Sequence, residues 1–430
     1  MSRILFTLTP ATGHVRPALP VARALVDEGH DVVVYTGRKF AQAVTATGAK
    51  HAPIVQGRDI DDAEFDAWSL AHGAPAPGIR RLQWDVRHHF VETVPGFLAD
   101  IDDLVSAERP DVVVMDNAFL AGGIAARRYG LPSVLFSVSP LAISSKDTAP
   151  FGMGLQPPRT GFDGLRYRLL EWFTRNVVFR DVQKVAERVV RDAGQPVPDG
   201  FFLDWVQTAV TRVLHTSVPS FEYPRSDLPE NVELVGPYLP AGIDRFDPPA
   251  WWDDVLDARA TGRPVVLVTQ GTVATDPERL LWPAIDGLAD EEVLVVATTE
   301  ENPGYPANVR ATPFVPFERL LPLVDVMVTN GGFGGVQQAL AAGVPVVVAG
   351  RTEDKAEVGA RVAWSGVGLA LPTDRLTDRT TSQEVRRGVR RVLDNPSFAR
   401  RAAELAQEYA GYDGVARTVS VLTEVAGASR

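Results

Sequence analysis

The chain contains no cysteine, and this absence removes several kinds of chemistry. Disulfide bonds, thiolate nucleophiles and cysteine-bound metals are all excluded. Long apolar runs are missing too, because no stretch approaches the ~20 residues that a membrane-crossing helix needs. The first ten residues predict a strand and do not look like a secretory signal. We therefore expect a cytoplasmic protein that does not insert into a membrane.

An excess of positive charge is also lacking. Lysine and arginine total 43 against 54 aspartate and glutamate residues, which gives a formal net charge of −11. Affinity for nucleic acid comes mainly from clustered Lys and Arg, so this balance argues against a nucleic-acid partner. An anionic ligand would have to be held by local backbone dipoles rather than by a basic surface.

The pattern that is present is an alternation of strand-like and helix-like segments. At 430 residues the chain is roughly two to three times as long as a typical domain, so two domains are the starting expectation. Each half of the chain repeats the alternation, which predicts an α/β protein with two doubly wound halves. In the first half, strands are predicted at 4–8, 31–35, 111–115 and 133–138, and helices at 18–28, 97–108 and 120–129. In the second half, strands are predicted at 264–270, 292–298, 309–311, 324–328 and 344–349.

A stretch rich in Pro and Gly, with little periodicity, separates the two halves. Such composition is typical of an interdomain linker. We place the first domain at residues 1–236, the linker at 237–250 and the second domain at 251–405. The residues from 382 to 425 have helical composition throughout, and 406–430 form the final helix.

The glycine-rich segment after the predicted strand 324–328 is a candidate anion site. Shortly after this strand the sequence has four glycines, Gly331, Gly332, Gly334 and Gly335, and helix-forming residues follow them. The start of a helix carries about half a positive charge and unpaired N–H donors, so a pyrophosphate can bind there without lysine or metal. Such turns also occur in α/β proteins without this function, so the segment alone is weak evidence.

A second candidate site follows the first predicted strand, in the sequence from Thr9 to Pro17. Ligands of open α/β sheets bind at the carboxyl ends of the strands, where this loop lies. His14 falls where the next helix begins, and the helix dipole should lower its pKa and keep the ring neutral. His14 could simply cap or pack at the helix start. However, Asp116 ends another strand at the same edge, where its carboxylate could orient the imidazole of a general base.

These segments resemble the family 1 glycosyltransferases of the GT-B fold that use UDP- or TDP-sugars, especially those of the bacterial natural-product and macrolide type. The resemblance rests on the block 314–355, on Gly13-His14 followed by Pro17, and on Asp116 followed by Phe119, and it spans nearly the entire chain. It implies the GT-B fold, in which two Rossmann-like doubly wound domains face a central cleft. In relatives the final helix crosses back onto the first domain.

The resemblance also implies an activity: inverting, metal-independent transfer of a hexose, glucose or a deoxysugar, to a hydroxyl of a lipophilic natural product or antibiotic. His14 would be the general base and Asp116 its orienting acid. Phe314 would lie against the nucleotide base, Gln338 would reach the ribose, and Asp354 with Lys355 the sugar. No cofactor beyond the donor is expected. The full donor set implied is Gly13, Gly271, Thr272, Phe314, Val315, Asn330, Gly331, Gly332, Gly334, Gly335, Gln338, Asp354 and Lys355.

Three residues of this chain depart from the family pattern. Asn330 stands where the family usually has a histidine that donates to the β-phosphate; Asn can donate a neutral hydrogen bond but adds no charge. Gln338 replaces a frequent glutamate, and Lys355 a frequent glutamine. These departures bear on donor affinity and on the identity of the sugar.

The acceptor pocket is expected in aromatic-rich segments of the first domain that lack sheet periodicity. Apolar walls with few polar groups suit a large hydrophobic molecule, flat or macrocyclic. For each aromatic residue taken singly, ordinary packing in the core is the alternative, and the region 163–192 is amphipathic enough to form a lid. The candidates are Phe65, Trp68, Trp84, Phe90, Phe151 and Met153, with Phe162, Tyr167, Trp172 and Phe173 beyond them.

A metal site is not expected. Asp59-Ile60-Asp61 and Asp100-Ile101-Asp102 match the minimal Asp-x-Asp string, but neither ends an apolar strand, and we interpret both as solvated surface. His88 and His89 are adjacent in a helical pattern and therefore point apart, which makes them a poor metal clamp. We assign them to the acceptor loop or the surface.

Two other functions are compatible with parts of this pattern. A nucleotide-sugar 2-epimerase would need acid and base residues facing the sugar and no acceptor pocket, and His14 on the acceptor side argues against it. A catalytically silent helper protein is suggested by Asn330 but opposed by the presence of both His14 and Asp116. The oligomeric state stays open, with a homodimer among the options.

Overall fold

A computed structural model of the chain describes residues 1–239, 246–271, 276–300, 302, 304–374 and 377–428. Two parallel sheets, one in each half of the chain, organise the described residues. The strands of the first half are β1 Arg3–Thr7, β2 Asp31–Thr36, β3 Lys50–Pro53, β4 Val112–Asp116, β5 Ser133–Ser137, β6 Arg212–His215 and β7 Val232–Leu234. Those of the second half are β8 Val265–Thr269, β9 Leu294–Thr298, β10 Val309–Thr312, β11 Val326–Thr329, β12 Val346–Val348 and β13 Gly368–Ala370.

Helices cover both faces of the sheets and leave the strand ends free. Those of the first half are α1 Thr12–Asp27, α2 Ala41–Thr45, α3 Phe65–Ala71, α4 Ile79–Asp85, α5 Val94–Glu108, α6 Leu120–Tyr129, α7 Gly161–Phe173, α8 Arg180–Asp192 and α9 Phe202–Thr208. Those of the second are α10 Trp252–Thr261, α11 Leu281–Leu288, α12 Phe317–Leu320, α13 Phe333–Ala341, α14 Lys355–Ser365, α15 Ser382–Leu393, α16 Pro396–Tyr409 and α17 Gly414–Gly427. Val86–Val91 and Thr174–Val178 form π-helical turns.

The first sheet has the order β3-β2-β1-β4-β5-β6-β7, with every pair parallel. Its central strands are continuous apolar runs because helices bury both of their faces. The chain order reverses between β1 and β4, and ligands of such sheets bind at this switch point. Strands β3, β6 and β7 were not predicted, since each is short and carries polar residues.

The second sheet has the order β10-β9-β8-β11-β12-β13, again with parallel pairs. Its switch point lies between β8 and β11, so the loops after these two strands meet at the carboxyl edge. All five predicted strands of this half are present, with each end within two residues of its predicted position. The α/β class and the two doubly wound halves are thus confirmed.

Helix α17 returns from the second half of the chain to the first sheet. Val419 and Leu422 are buried in the cluster that contains Leu25 of α1 and Val114 of β4. The stretch predicted as continuously helical is divided into α15, α16 and α17. The breaks arise where side chains cap the next helix, Asn395 at α16 and Asp413 at α17. Among the described residues, no helix is long and apolar enough to cross a membrane.

Candidate active site

The loop after β1 and the end of β4 bring His14 against Asp116. The ring Nδ1 of His14 lies 2.9 Å from Oδ1 of Asp116, although the residues are 102 positions apart. Asp116 is fully buried and also accepts from the backbone N–H groups of Thr9, at 2.6 Å, and Ala118, at 2.8 Å. A carboxylate only accepts, so Nδ1 of His14 carries the proton and Nε2 is left as the basic atom. No hydrogen bond within the described part of the chain reaches Nε2.

The pKa of His14 is raised above its ordinary value, not lowered as the helix dipole predicted. Burial lowers the pKa of this ring, but the charge and hydrogen bond of Asp116 together outweigh burial, and Asp354 adds to them. Burial would conversely raise the pKa of Asp116, and the interaction with His14 brings it below its ordinary value. The expected lowering was wrong because the sequence could not give the distance between the two side chains.

At the switch point of the second sheet, Asn330 faces the loop after β8. A side chain added to Gly271 would meet the Asn330 amide nitrogen at 3.1 Å, so the two loops touch. Asn330 is buried, and its Nδ2 has no hydrogen-bond partner among the described residues. A buried donor without a partner is costly, and a bound anion would satisfy it. Thr272, predicted beside it, lies outside the described residues.

Helix α13 begins directly behind this amide. Gly331 has φ 97°, Gly332 is the N-cap residue, and no side chain among the described residues caps the first turn. A Cβ on Gly334 would meet nothing within 4 Å, so the space in front of the helix start is open. The N–H groups of Gly331 and Gly332 donate to the side chains of Thr329 and Asn330, but no described side chain caps the first turn of α13. The N–H groups of this turn and the positive end of the helix are therefore available to an anion such as pyrophosphate.

Asp354 connects the two halves of the site. It occupies the N-cap position of α14, and burial together with the charge of Glu353 raises its pKa to about 6. The charges of Asp354 and His14 each shift the pKa of the other group, so the start of α14 faces the loop after β1 within the range of electrostatic interaction. Lys355 is buried, and its ammonium contacts Glu353 at 2.9 Å and Thr352 at 3.2 Å.

Three of the remaining predicted donor residues follow strands of the second sheet, and Gly13 follows β1 of the first. Phe314 is 65% exposed and available to a flat ring, whereas Val315 is buried next to it. Gln338 is half-buried on α13, where its amide donates to the carbonyl of Gly334 at 3.3 Å. Gly13 is exposed at the start of α1, one residue before His14. The predicted base, acid, glycine turn and sugar-binding carboxylate are thus collected at one cleft.

Comparison with known proteins decides the family. Residues 284–424 match the model of the Erythromycin biosynthesis protein CIII-like C-terminal domain, and residues 12–190 match the Glycosyl transferase 4-like domain. The 4'-demethylrebeccamycin synthase of Lentzea aerocolonigenes is 45% identical, over 98% of this chain and 99% of that protein. The UDP-glycosyltransferase 2 of Phaeomoniella chlamydospora is 31% identical, over 99% of this chain and 96% of its own length.

The chain belongs to the GT-B glycosyltransferases of the natural-product type. A solved structure agrees on the fold: the glycosyltransferase VinC in complex with DTDP has a TM-score of 0.67 and 23% identity, with 99% of each chain covered. The sequence-based resemblance, the GT-B fold and the assignment as a sugar-transferring enzyme are therefore confirmed.

In this glycosyltransferase four aromatic side chains of the segment 65–89 form one cluster in the first half of the chain. Trp68 and Trp84 have ring centroids 6.1 Å apart, and Phe65 stacks on His89 at 3.8 Å. Arg58 lies over the Trp68 ring at 4.3 Å. His89 is buried, donates to or accepts from Ser69 at 2.8 Å, and has its pKa lowered to about 3 by burial and by nearby cations. Of the two assignments given to His89, the surface is therefore wrong, and the acceptor loop stays a prediction.

The other predicted acceptor residues separate into two groups. Phe90, Phe151 and Met153 are half-buried. On α7, Phe162, Trp172 and Phe173 are 75%, 60% and 46% exposed, so core packing does not account for them. Tyr167 alone of the named α7 aromatics is buried, and its hydroxyl donates to the carbonyl of Gln156 at 2.9 Å.

The Asp-x-Asp strings are structural. Asp100 is buried and accepts from the hydroxyl of Tyr35 at 2.7 Å and from the backbone of Gln56 and Gly57, so its assignment to the solvated surface was wrong. Asp61 accepts from Ala63 and pairs with Lys39. Within the residues that the structure describes, no group of three or more His, Asp or Glu side chains could hold a metal ion.

Two features of the site were missed. Asp62 is buried and accepts from the backbone N–H of Thr12 at 2.8 Å, which fixes the start of α1 two residues before His14. Glu222, Glu357 and Arg361 form a buried ion network between the halves. Neither carries a local sequence signal, because the partners are 50 and 139 residues apart.

Proposed function

We propose that this glycosyltransferase moves a hexose from a UDP- or TDP-sugar to a hydroxyl of a lipophilic natural product, with inversion at the anomeric carbon and without a metal. The observation that carries the proposal is the hydrogen bond between His14 and Asp116 at the carboxyl edge of the first sheet, with Asp354 near enough to affect the pKa of His14. The pair supports the roles of base and orienting acid, and Asp354 is proposed to bind the sugar.

The reaction follows from the free Nε2 of His14. This atom removes the proton from the acceptor hydroxyl, and the oxygen attacks the anomeric carbon as the bond to the β-phosphate oxygen breaks. Asp116 holds the ring through Nδ1 and stabilises the imidazolium that forms. A single displacement from the face opposite the leaving group inverts the configuration.

The leaving nucleoside diphosphate needs stabilisation of negative charge. The unpaired Nδ2 of Asn330 and the free N–H groups at the start of α13 are fixed donors for that charge. Because these donors are neutral and preorganised, we propose that no divalent ion takes part. Asp354 at the start of α14 would accept hydrogen bonds from the sugar hydroxyls.

The choice of nucleotide follows from the relatives. One relative is named a UDP-glycosyltransferase, and one structural neighbour was solved with DTDP, so both donor classes are candidates for Phe314 and Val315. The aromatic cluster of Phe65, Trp68 and Trp84 supports a large hydrophobic acceptor, and a relative named 4'-demethylrebeccamycin synthase supports an antibiotic-like one.

The proposal is tested with purified enzyme treated with EDTA and incubated with UDP-glucose or TDP-glucose and a panel of polyketide, ansamycin and flavonoid acceptors. We expect a product heavier by one hexose, detected by mass spectrometry, with a β-linkage from the α-configured donor by NMR. An α-linked product would contradict inversion. Activity that returns only with added Mg²⁺ or Mn²⁺ would contradict metal independence.

A further inference from the structure

A long loop between β5 and α7 crosses from the first half of the molecule to the second. Residues 138–160 form neither helix nor strand in the described structure. Loops of this length inside a compact protein are usually functional. We call residues 139–154 the strap. It carries Phe151 and Met153, two of the residues expected at the acceptor.

The C-terminal end of the strap is hydrogen-bonded to α14. The backbone N–H groups of Gly152 and Gly154 both donate to Oε1 of Glu357, each at 2.9 Å. Gly154 has φ 60°, and a Cβ there would lie 2.8 Å from the carbonyl oxygen of Ala356. The strap is therefore in direct contact with the first turn of the helix whose N-cap residue is Asp354.

The N-terminal part of the strap is hydrogen-bonded to residues 222–227. Leu141 donates its N–H to Glu222 at 3.2 Å and accepts at its carbonyl from Arg225 at 2.9 Å. A few residues further along, the N–H of Lys146 donates to Asp227 at 2.9 Å.

Arg361 links the two glutamates to which the ends of the strap are hydrogen-bonded. Arg361 is 1% exposed and pairs with Glu357 at 2.8 Å and with Glu222 at 2.6 Å. Burial would raise the pKa of Glu222, but Arg361 and further cationic partners hold it well below its ordinary value, so the network is charged. Breaking a buried ion pair leaves an uncompensated charge, which is strongly destabilising. The network therefore favours the arrangement in which both ion pairs of Arg361 are intact.

We propose that Glu357 and Arg361 are positioning residues that hold the strap, with Phe151 and Met153, at a fixed distance from the sugar-binding turn at Asp354. The network then couples the acceptor wall to the donor helix. It sets acceptor affinity and directs the sugar to the acceptor instead of water, without touching either substrate. This inference rests on the proposed transfer reaction for its kinetic consequences.

The first test needs no substrate. Amide hydrogen exchange is compared between wild type, Glu357→Ala and the control Glu408→Ala. Glu408 also joins the halves, accepting from the N–H of Ser220 at 3.1 Å, but it does not touch the strap. We expect exchange in peptides covering 139–154 to rise at least tenfold in E357A and to stay unchanged in E408A. Unchanged exchange in a folded E357A overturns the inference.

The second test uses steady-state kinetics with a donor and acceptor pair that wild type turns over. We expect E357A to raise the acceptor KM at least tenfold. The ratio of donor hydrolysis to transfer should also rise, while the Kd for UDP or TDP stays within twofold. A general loss of structure would instead weaken the nucleotide and the acceptor alike. Equal acceptor KM values in E357A and E408A also overturn the inference.

A further variant tests the same contact in case E357A fails to fold. Gly154→Ala disturbs the same contact by crowding Ala356 and removes no charge. It is expected to show the same acceptor-selective change. If wild type transfers no sugar at all, the proposed function fails while the exchange test of the strap still decides this inference.

Discussion

His14 and Asp116 form a hydrogen-bonded pair at 2.9 Å although they are 102 positions apart in the chain, with β2 and β3 between them. The pair exists because β1 and β4 are neighbours in the sheet, so residues that follow both strands meet at the switch point. The buried carboxylate fixes the ring and holds its proton at Nδ1. The consequence is an imidazole whose Nε2 points away from Asp116, and whose pKa Asp116 raises against the effect of burial.

The direct test of this pair is His14→Ala. We expect transfer to fall by about 10²–10⁴-fold, the usual contribution of a positioned general base. The Kd for UDP or TDP, measured by calorimetry, should stay within about twofold, since the proposed phosphate site at Asn330 and the start of α13 belongs to the other sheet. His30→Ala, at the opposite end of the first sheet, is the control and should retain activity. Full transfer by H14A would exclude His14 as the base.

The pH dependence gives an independent check. His14 acts only when neutral, so kcat/KM should fall as pH falls through its pKa, with a midpoint above the ordinary value of 6.5. Asp116→Asn removes the charge that raises this pKa, and burial then dominates. The acidic limb should therefore move to lower pH, while the plateau rate drops roughly 10²-fold or more because Asn no longer enforces the tautomer. A limb that does not move would mean that another group controls it.

Much of this site was readable from the sequence, for a physical reason. Strand-like runs and glycine turns are local patterns, and the carboxyl ends of parallel strands share one edge, so His14, Asp116 and Gly331 could be placed on the correct sides of two sheets. The pKa of His14 could not be read, because its sign depends on a distance between residues.

What the sequence did not reveal is pairing at long range. Asp100 looked like a surface acid in an amphipathic helix, yet Tyr35 and three backbone N–H groups bury it. Arg361 and Glu222 carry no local signal at all. Strand β7 was not predicted, because three half-buried residues with a central glutamate show no apolar run.

Asn330→Ala tests the proposed donor to the β-phosphate. Its buried Nδ2 has no partner in the described structure, so removing it should leave the melting temperature of the ligand-free enzyme unchanged or raise it. The same change should lower kcat by about 10²-fold, because one fixed donor to the leaving group is lost. Thermal unfolding with and without UDP or TDP, together with kcat, measures both effects. A lower melting temperature without donor, with kcat unchanged, would make Asn330 a structural residue.

Two glycines of the same turn should respond in opposite ways to alanine. At Gly331, φ is 97° and a Cβ would lie 2.7 Å from Val348, so Gly331→Ala should cost about 1–3 kcal/mol of stability. At Gly334 a Cβ meets nothing, and alanine favours helix, so Gly334→Ala should fold at least as well as wild type. Its methyl group would nevertheless project into the open space where we place the pyrophosphate. We therefore expect a normal melting temperature and a Kd for UDP or TDP raised at least tenfold, measured by calorimetry. Wild-type nucleotide affinity in G334A would move the phosphate away from the start of α13, because a ligand held by those N–H groups cannot share the space with a side chain.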